Sequence, residues 1–200
     1  LIVEVRVEKI IEIINSLNVV FLGIGNEMKL NIIFFYKSIN KIQVKALQNF
    51  LRNKANIEFI KCKKYEIYKY ISQSLIANKI DFMMFWDLSI SDVAPESDSK
   101  SLWLQELSSS LNQKNSVAAA PKIISKQHRV FLSGMYIGLG NVPQPINFNQ
   151  HSSNNGYFGR ANLIQEFSLL SNMVLIIRTK NFLEIYDKIK YLNHKIGFYR

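Results

Sequence analysis

Only one cysteine, Cys62, occurs in the 200 residues, and no run of apolar residues approaches the length of a membrane-spanning helix. A single cysteine excludes an internal disulfide and the common zinc-binding spacings, and the three histidines are not spaced as metal ligands. Charged residues are interspersed through the first ten residues, which is untypical of a signal peptide. We therefore expect a cytoplasmic protein, a location that includes the inner face of a membrane.

Acidic residues are scarce relative to basic ones, at 15 against 25, so the formal net charge is +10. Such a balance favours anionic partners, namely nucleic acid, anionic lipid or a phosphorylated substrate. The lysines are scattered, with the densest group at Lys61, Lys63 and Lys64, which is typical of a solvated surface. We expect no nucleic acid partner, since no motif for one occurs, whereas peripheral contact with an anionic membrane stays open.

Strand and helix patterns alternate four times in the first 90 residues. Alternating or continuous β-branched and aromatic runs predict strands, and apolar residues at helical spacing predict the helices between them. The predicted strands are 1–7, 31–36, 57–61 and 81–86, and the predicted helices cover 8–17, about 42–51 and about 68–78. This order indicates an α/β fold with a mainly parallel sheet covered by helices on both faces.

The second half of the sequence has a weaker pattern. A polar loop is expected at 87–100, a helix at about 100–113, strands at 117–124, 129–138 and 168–178, and a last helix around Phe182 to Ile189. Residues 139–160 are rich in Gly, Pro, Asn and Ser and predict a long loop. We expect one domain over 1–200, with a nucleotide-binding half (1–90) and an acceptor-side half (91–200).

The end of the fourth strand carries the most informative chemistry, because ligands of open α/β sheets bind outside the carboxyl ends of strands. Asp87 leaves the strand there and is placed to bind a divalent cation that neutralises a diphosphate. The alternative is that Asp87 caps a turn, as Asp often does. Trp86 either packs in the core or lines the same ligand site.

Five segments in order resemble the bacterial family 2 glycosyltransferases that build O-antigen-like and other surface polysaccharides. They lie within the segment from about 82 to 182, which has about 100 residues: WLQEL (103–107), SVAAAPKII (116–124), HRVFLSGMYIG (128–138), GYFGR (156–160) and the strand and helix from Ser168 through Arg178 to Phe182. The resemblance implies a GT-A fold, a nucleotide-diphosphate sugar donor, a glycan or lipid-linked acceptor, and Mg²⁺ or Mn²⁺. The chain lacks an initiator Met and the family's downstream acidic motif, so we expect a piece that is incomplete at its C-terminus.

The resemblance also assigns residues. Tyr36, Asp87 and Arg160 fall on motifs of the family and, with Trp86 directly before Asp87, are the expected donor-binding residues; Asp87 and Ser89 fall on its metal motif. Ser89 replaces a carboxylate there, and Tyr36 replaces the acidic residue that contacts the nucleotide base. Because a hydroxyl is a poor ligand for a hard cation, a catalytically inactive binding or assembly module is the alternative function. No catalytic base is assigned, and Arg178 is either a phosphate contact or an ordinary charge at a strand end.

Overall fold

The structure, a computed structural model, describes residues 2–4, 14, 17, 31–36, 41–52, 55–61, 67–86, 103–113, 115–138, 142–171 and 173–189. The strands within these ranges are β1 (Ile2–Glu4), β2 (Asn31–Tyr36), β3 (Asn56–Lys61), β4 (Phe82–Trp86), β5 (Ala118–Ala119), β6 (Ile123–Ile124), β7 (Val130–Leu132), β8 (Met135–Ile137), β9 (Pro143–Pro145) and β10 (Val174–Arg178). The helices are α1 (Lys41–Leu51), α2 (Ile67–Ala77), α3 (Trp103–Ser110) and α4 (Thr179–Ile189), with a 3₁₀ segment at Tyr157–Asn162.

The main sheet has six strands in the order β3-β2-β1-β4-β10-β5. The four strands of the first half are mutually parallel, as the alternating pattern predicted. β10 then pairs antiparallel with both β4 and β5. The fold is therefore mixed α/β: a parallel block extended by an antiparallel strand that comes from the end of the chain.

Helices cover both faces of the sheet. Successive side chains of β4 point to opposite faces, and each set packs against a different group of helices. Met83 lies in a cluster with Ile71 of α2 and Phe182 of α4. Met84 and Trp86 lie in the opposite cluster with Leu104 of α3, joined by Leu111, Val174 and Ile176. The predicted arrangement of helices on both faces is confirmed for the described residues.

The predicted strand 117–124 is two strands in different sheets. β5 belongs to the main sheet, whereas β6 pairs with β7. Pro121 lies between them, and proline has no N–H to continue a ladder. The expectation of one continuous strand here was wrong.

The predicted strand 129–138 is likewise interrupted, at Ser133 and Gly134. Ser133 Oγ donates to the carbonyl of Ile146 at 2.6 Å, and Gly134 lies against the ring of Phe167. The chain turns away from β6 at this point, and β8 pairs instead with β9. The close approach of Phe167 explains why a glycine occupies this position.

The long loop predicted at 139–160 contains ordered structure. β9 pairs antiparallel with β8, with Tyr136 opposite Gln144. The two prolines of this strand made a strand unexpected from the sequence. An edge strand tolerates proline at positions where no backbone N–H is needed to bond the partner strand. The last strand is shorter than predicted, since only 174–178 are extended in the sheet and Leu169 forms an isolated bridge with Met135.

The predicted first helix, 8–17, and most of the first strand lie outside the described residues. Ile14 and Leu17 are described; both are helical, and Leu17 is fully buried. In the part of the chain that is described, no helix combines the length and the apolarity needed to cross a bilayer.

Candidate functional site

The order of the strands reverses between β1 and β4. From β1 the chain adds β2 and then β3 on one side, and it returns to add β4 on the other side. Crossover connections on either side of such a point leave the sheet in opposite directions, which opens a crevice at the carboxyl ends of the two strands. The carboxyl edge between β1 and β4 is therefore the candidate ligand site.

Two of the predicted site residues lie at this edge. Tyr36 is the last residue of β2 and pairs with Lys61, the last residue of β3. Trp86 is the last residue of β4 and pairs with Val174. Ile2 of β1 pairs with both Ile33 and Phe85, so Tyr36 lies two residues further along the strands than Trp86. With about 4.8 Å between neighbouring strands and about 3.3 Å per residue, the main chains of Tyr36 and Trp86 are about 12 Å apart. That span fits within one nucleotide-sized ligand.

Asp87 and Ser89, the predicted metal ligands, lie outside the described residues. Asp87 is the residue that directly follows β4 in the sequence. Within the described ranges, no group of three or more His, Cys, Asp or Glu side chains could hold a metal ion. One carboxylate and one hydroxyl do not by themselves fit a hard divalent cation, so the metal site stays a prediction that needs a further carboxylate.

Trp86 is a core residue that touches the edge of the site. Only 6% of its surface is exposed, and its ring lies 5.7 Å from that of Trp103, which begins α3. Its indole Nε1 is buried without a hydrogen-bond partner among the described residues. An unpaired buried donor costs about 1–3 kcal/mol. The burial leaves no open face for stacking on a ligand, and Nε1 is itself buried, so the structure favours the interpretation of Trp86 as a core residue.

Arg160 lies in a loop that is attached to the carboxyl edge. The loop, residues 155–165, contains the 3₁₀ segment, and Arg160 is exposed on it. Lys122, which follows β5, donates from Nζ to the carbonyl of Ala161 at 3.2 Å. β5 runs in the same direction as β4, since both pair antiparallel with β10, so its carboxyl end lies at the same edge. The structure thus brings Arg160 to the side of the sheet where Trp86 ends β4.

Sequence reasoning did not single out Lys122. It is a cation directly after Pro121, and only the three-dimensional contact with Ala161 distinguishes it from other surface lysines. Two cations, Lys122 and Arg160, therefore lie on the loop side of the carboxyl edge. No described contact joins either of them to Tyr36 or Trp86.

Arg178 lies at the other edge of the sheet. It pairs with Phe82, the first residue of β4, and its guanidinium lies 5.5 Å from the centre of that ring. It donates to the carbonyl of Leu111 at 2.9 Å and to Oδ1 of Asn112 at 3.1 Å. A cation is favourable at the carbonyls that follow a helix. The structure favours the role of Arg178 as a structural charge over contact with a donor phosphate.

Similarity to known proteins was found among solved structures. No protein-family model matches the chain, and no curated protein matches it. Among solved structures, the chain is similar to the crystal structure of 4-diphosphocytidyl-2C-methyl-D-erythritol synthase from Anaerococcus prevotii DSM 20548. The TM-score is 0.45 at 14% sequence identity, over 98% of this chain and 75% of that one. At these values the similarity assigns neither a family nor an activity to this chain.

Proposed function

We propose that the chain is a glycosyltransferase-like domain that transfers a sugar from a nucleotide-diphosphate donor to a glycan or lipid-linked acceptor in surface polysaccharide synthesis. The observation that carries the proposal is the reversal of strand order between β1 and β4. Asp87 is the next residue in the sequence after β4. Ligands of open α/β sheets bind at this place.

The segments that resemble family 2 glycosyltransferases coincide with strands, helices and an ordered loop of the structure. WLQEL begins α3, beside Trp86, and SVAAAPKII covers β5 and β6. HRVFLSGMYIG covers β7 and β8, and GYFGR lies in the 155–165 loop tethered by Lys122. Their order along the chain supports a GT-A-like fold.

The chemistry available at the edge favours binding of a diphosphate. Transfer of a sugar leaves a nucleoside diphosphate, whose developing charge needs positive groups close by. Arg160 pairs well with phosphate oxygens, and Lys122 is placed beside the same loop. A divalent cation on Asp87 would supply further positive charge, with Asp92 as the additional carboxylate that Ser89 cannot provide. The base that would deprotonate the acceptor hydroxyl is not assigned.

Titration calorimetry with UDP-sugars and GDP-sugars, with and without Mn²⁺, tests the proposal. We expect binding that Mn²⁺ strengthens, and we expect Asp87→Asn to weaken it by roughly tenfold or more, because a charge-assisted contact is lost. Asp81→Asn is the matched control, since Asp81 precedes the amino end of the same strand. Binding of no nucleotide sugar, or equal losses in the two variants, would sink the proposal.

The alternative is a catalytically inactive module of the same fold, used for binding or assembly. It is favoured by Ser89 and Tyr36 in place of carboxylates and by the burial of Trp86, which leaves no stacking platform. This alternative predicts weak donor binding that does not depend on Mn²⁺. Clear metal-dependent binding in the same titrations would exclude it.

A further inference from the structure

The 155–165 loop exposes four large apolar side chains within eight residues. Tyr157 is 79% exposed, Phe158 84%, Leu163 64% and Ile164 78%. Single exposed apolar residues are ordinary on a protein surface, but a cluster of them marks a surface that another molecule covers. The cluster lies on the carboxyl side of β5, because Lys122, three residues after that strand and directly before β6, donates to the loop.

The loop is held by its own hydrogen bonds. Asn155 accepts from the Ala161 N–H at 3.0 Å through its carbonyl and from Asn162 Nδ2 at 2.7 Å through its side chain. The Arg160 carbonyl accepts from the Leu163 N–H at 3.2 Å and from Gln165 Nε2. These bonds close the loop on itself, so the apolar side chains are presented outward from an ordered backbone.

The backbone of the loop tip is also unusual. Phe158 has a φ of 52° and the neighbouring Gly159 a φ of 73°. A bulky residue rarely occupies this left-handed region, and such strain persists where a function maintains it. The rings of Tyr157 and Phe158 lie 4.4 Å apart in an edge-to-face arrangement. The two aromatic side chains therefore project together.

Basic residues outnumber acidic ones in the sequence that contains the loop, although the exposed Glu166 directly follows it. No Asp or Glu occurs between Glu106 and Glu166, whereas five basic residues do: Lys114, Lys122, Lys126, Arg129 and Arg160. The potential over this region therefore attracts anions. An apolar tip that carries Arg160 and has Lys122 bonded to its backbone is complementary to an anionic lipid surface, where apolar side chains enter the boundary of the acyl chains and cations meet the phosphates.

Nucleic acid fits the same surface less well. Single strands are bound by aromatic platforms along a dense track of cations. Here the aliphatic side chains of Leu163 and Ile164 offer no platform, and Arg160 is the only cation between them and Tyr157 in the sequence.

We propose that the 155–165 loop is a membrane-docking element, which inserts Tyr157, Phe158, Leu163 and Ile164 into the interface of an anionic bilayer. Arg160 and Lys122 contact the lipid phosphates. Docking would place the carboxyl edge of the sheet next to the membrane. The inference does not depend on the proposed glycosyl transfer, since lipid binding is measured without any nucleotide sugar.

Sedimentation with vesicles tests the proposal. The protein is expected to bind vesicles of phosphatidylcholine mixed with phosphatidylglycerol, more tightly than pure phosphatidylcholine vesicles, and to bind less as salt is added. The double variant Leu163→Ser and Ile164→Ser should lower the partition coefficient roughly tenfold or more, because two aliphatic side chains leave the interface. The matched control is Ile42→Ser with Ile76→Ser, which removes two side chains of the same kind, 76% and 65% exposed on α1 and α2.

A second measurement covers the case in which the loop variant fails to fold, as judged by circular dichroism. In Phe158→Trp the fluorescence of the new indole should be quenched by vesicles that contain brominated phosphatidylglycerol. Absence of vesicle binding by the wild type, equal losses in the loop and control variants, or an unquenched indole at position 158 would overturn the proposal. So would self-association in solution that the loop variant abolishes, since a second copy of the chain would then be the partner.

Discussion

Gly134→Ala offers a sharp test of how the loop region is built. A Cβ at this position would lie 2.3 Å from both Cγ and Cδ2 of Phe167 and 2.6 Å from Cδ1. Real Cβ contacts are ordinary only beyond 3.4 Å, so the whole ring has to move by about 1 Å, a shift of the kind that overpacking imposes. Phe167 is separated from the 155–165 loop by Glu166 alone. The strain would therefore lie in the segment that leads from the loop back towards β8.

The expected loss follows from two opposing effects. Overpacking of a packed site costs about 1–3 kcal/mol. Replacing Gly by Ala also restricts the unfolded chain, which stabilises the fold by about 0.4–1 kcal/mol. We therefore expect Gly134→Ala to lower the free energy of unfolding by about 1–2 kcal/mol, measured by urea denaturation. For a domain of this size the Tm should fall by about 2–8 °C.

Gly138→Ala is the matched control. Its added Cβ would meet Cγ of Gln144 at 3.2 Å, and this long, exposed side chain can move aside. Its free energy of unfolding should stay within about 0.5 kcal/mol of the wild type. Phe167→Ala should relieve the strain, giving a coupling of at least about 0.5 kcal/mol with Gly134→Ala. Equal stability of the two glycine variants, or no coupling, would refute the packing of Phe167 on Gly134.

Three further changes test the remaining contacts. Arg178→Gln removes the guanidinium from the carbonyl of Leu111 and should lower the free energy of unfolding by about 1–3 kcal/mol, without weakening nucleotide-sugar binding in calorimetry. Leu111→Ala leaves a cavity where the side chain is 1% exposed, and should cost about 2–5 kcal/mol in urea denaturation. Lys122→Met removes the donor to the Ala161 carbonyl, so limited proteolysis should cut the 155–165 loop faster. The free energy of unfolding should change by less than about 1 kcal/mol. An unchanged cleavage rate would contradict the role of Lys122 in holding the loop.

The parallel block could be predicted from the sequence because its signals are local. Runs such as 31–36 and 82–86 are short, apolar and separated by amphipathic helices, so each strand and helix can be recognised from its own residues. The position of β10 between β4 and β5 could not be predicted, since the pairing of Val174 with Trp86 joins residues far apart in the chain. No local pattern records such a contact.

The second half was predicted less well, for physical reasons that lie in single residues. Pro121 interrupts an apolar run that otherwise has the composition of one strand, and the contact of Gly134 with Phe167 interrupts the next. β9 carries two prolines, and it forms by pairing with β8. The contact between Gly134 and Phe167 and the pairing of β8 with β9 are tertiary contacts, and they override the local pattern.

The candidate site was predicted in part. The end of the fourth strand was identified from its sequence, and the strand order now gives the physical reason, which is the reversal between β1 and β4. Tyr36 and Trp86 end strands at the expected edge, and Arg160 is linked to it through Lys122. The tether escaped prediction because a lysine that donates to a distant carbonyl has no signature in the sequence.

Hydrogen–deuterium exchange with and without a saturating nucleotide sugar tests the central claim most directly. The account predicts slower exchange in peptides that cover the carboxyl end of β4 and the residues after it, 84–92, and in the 155–165 loop. It predicts no change in peptides from the opposite edge, at 178–189. Protection confined to 178–189, or no protection at 84–92, would contradict a donor site at the reversal between β1 and β4.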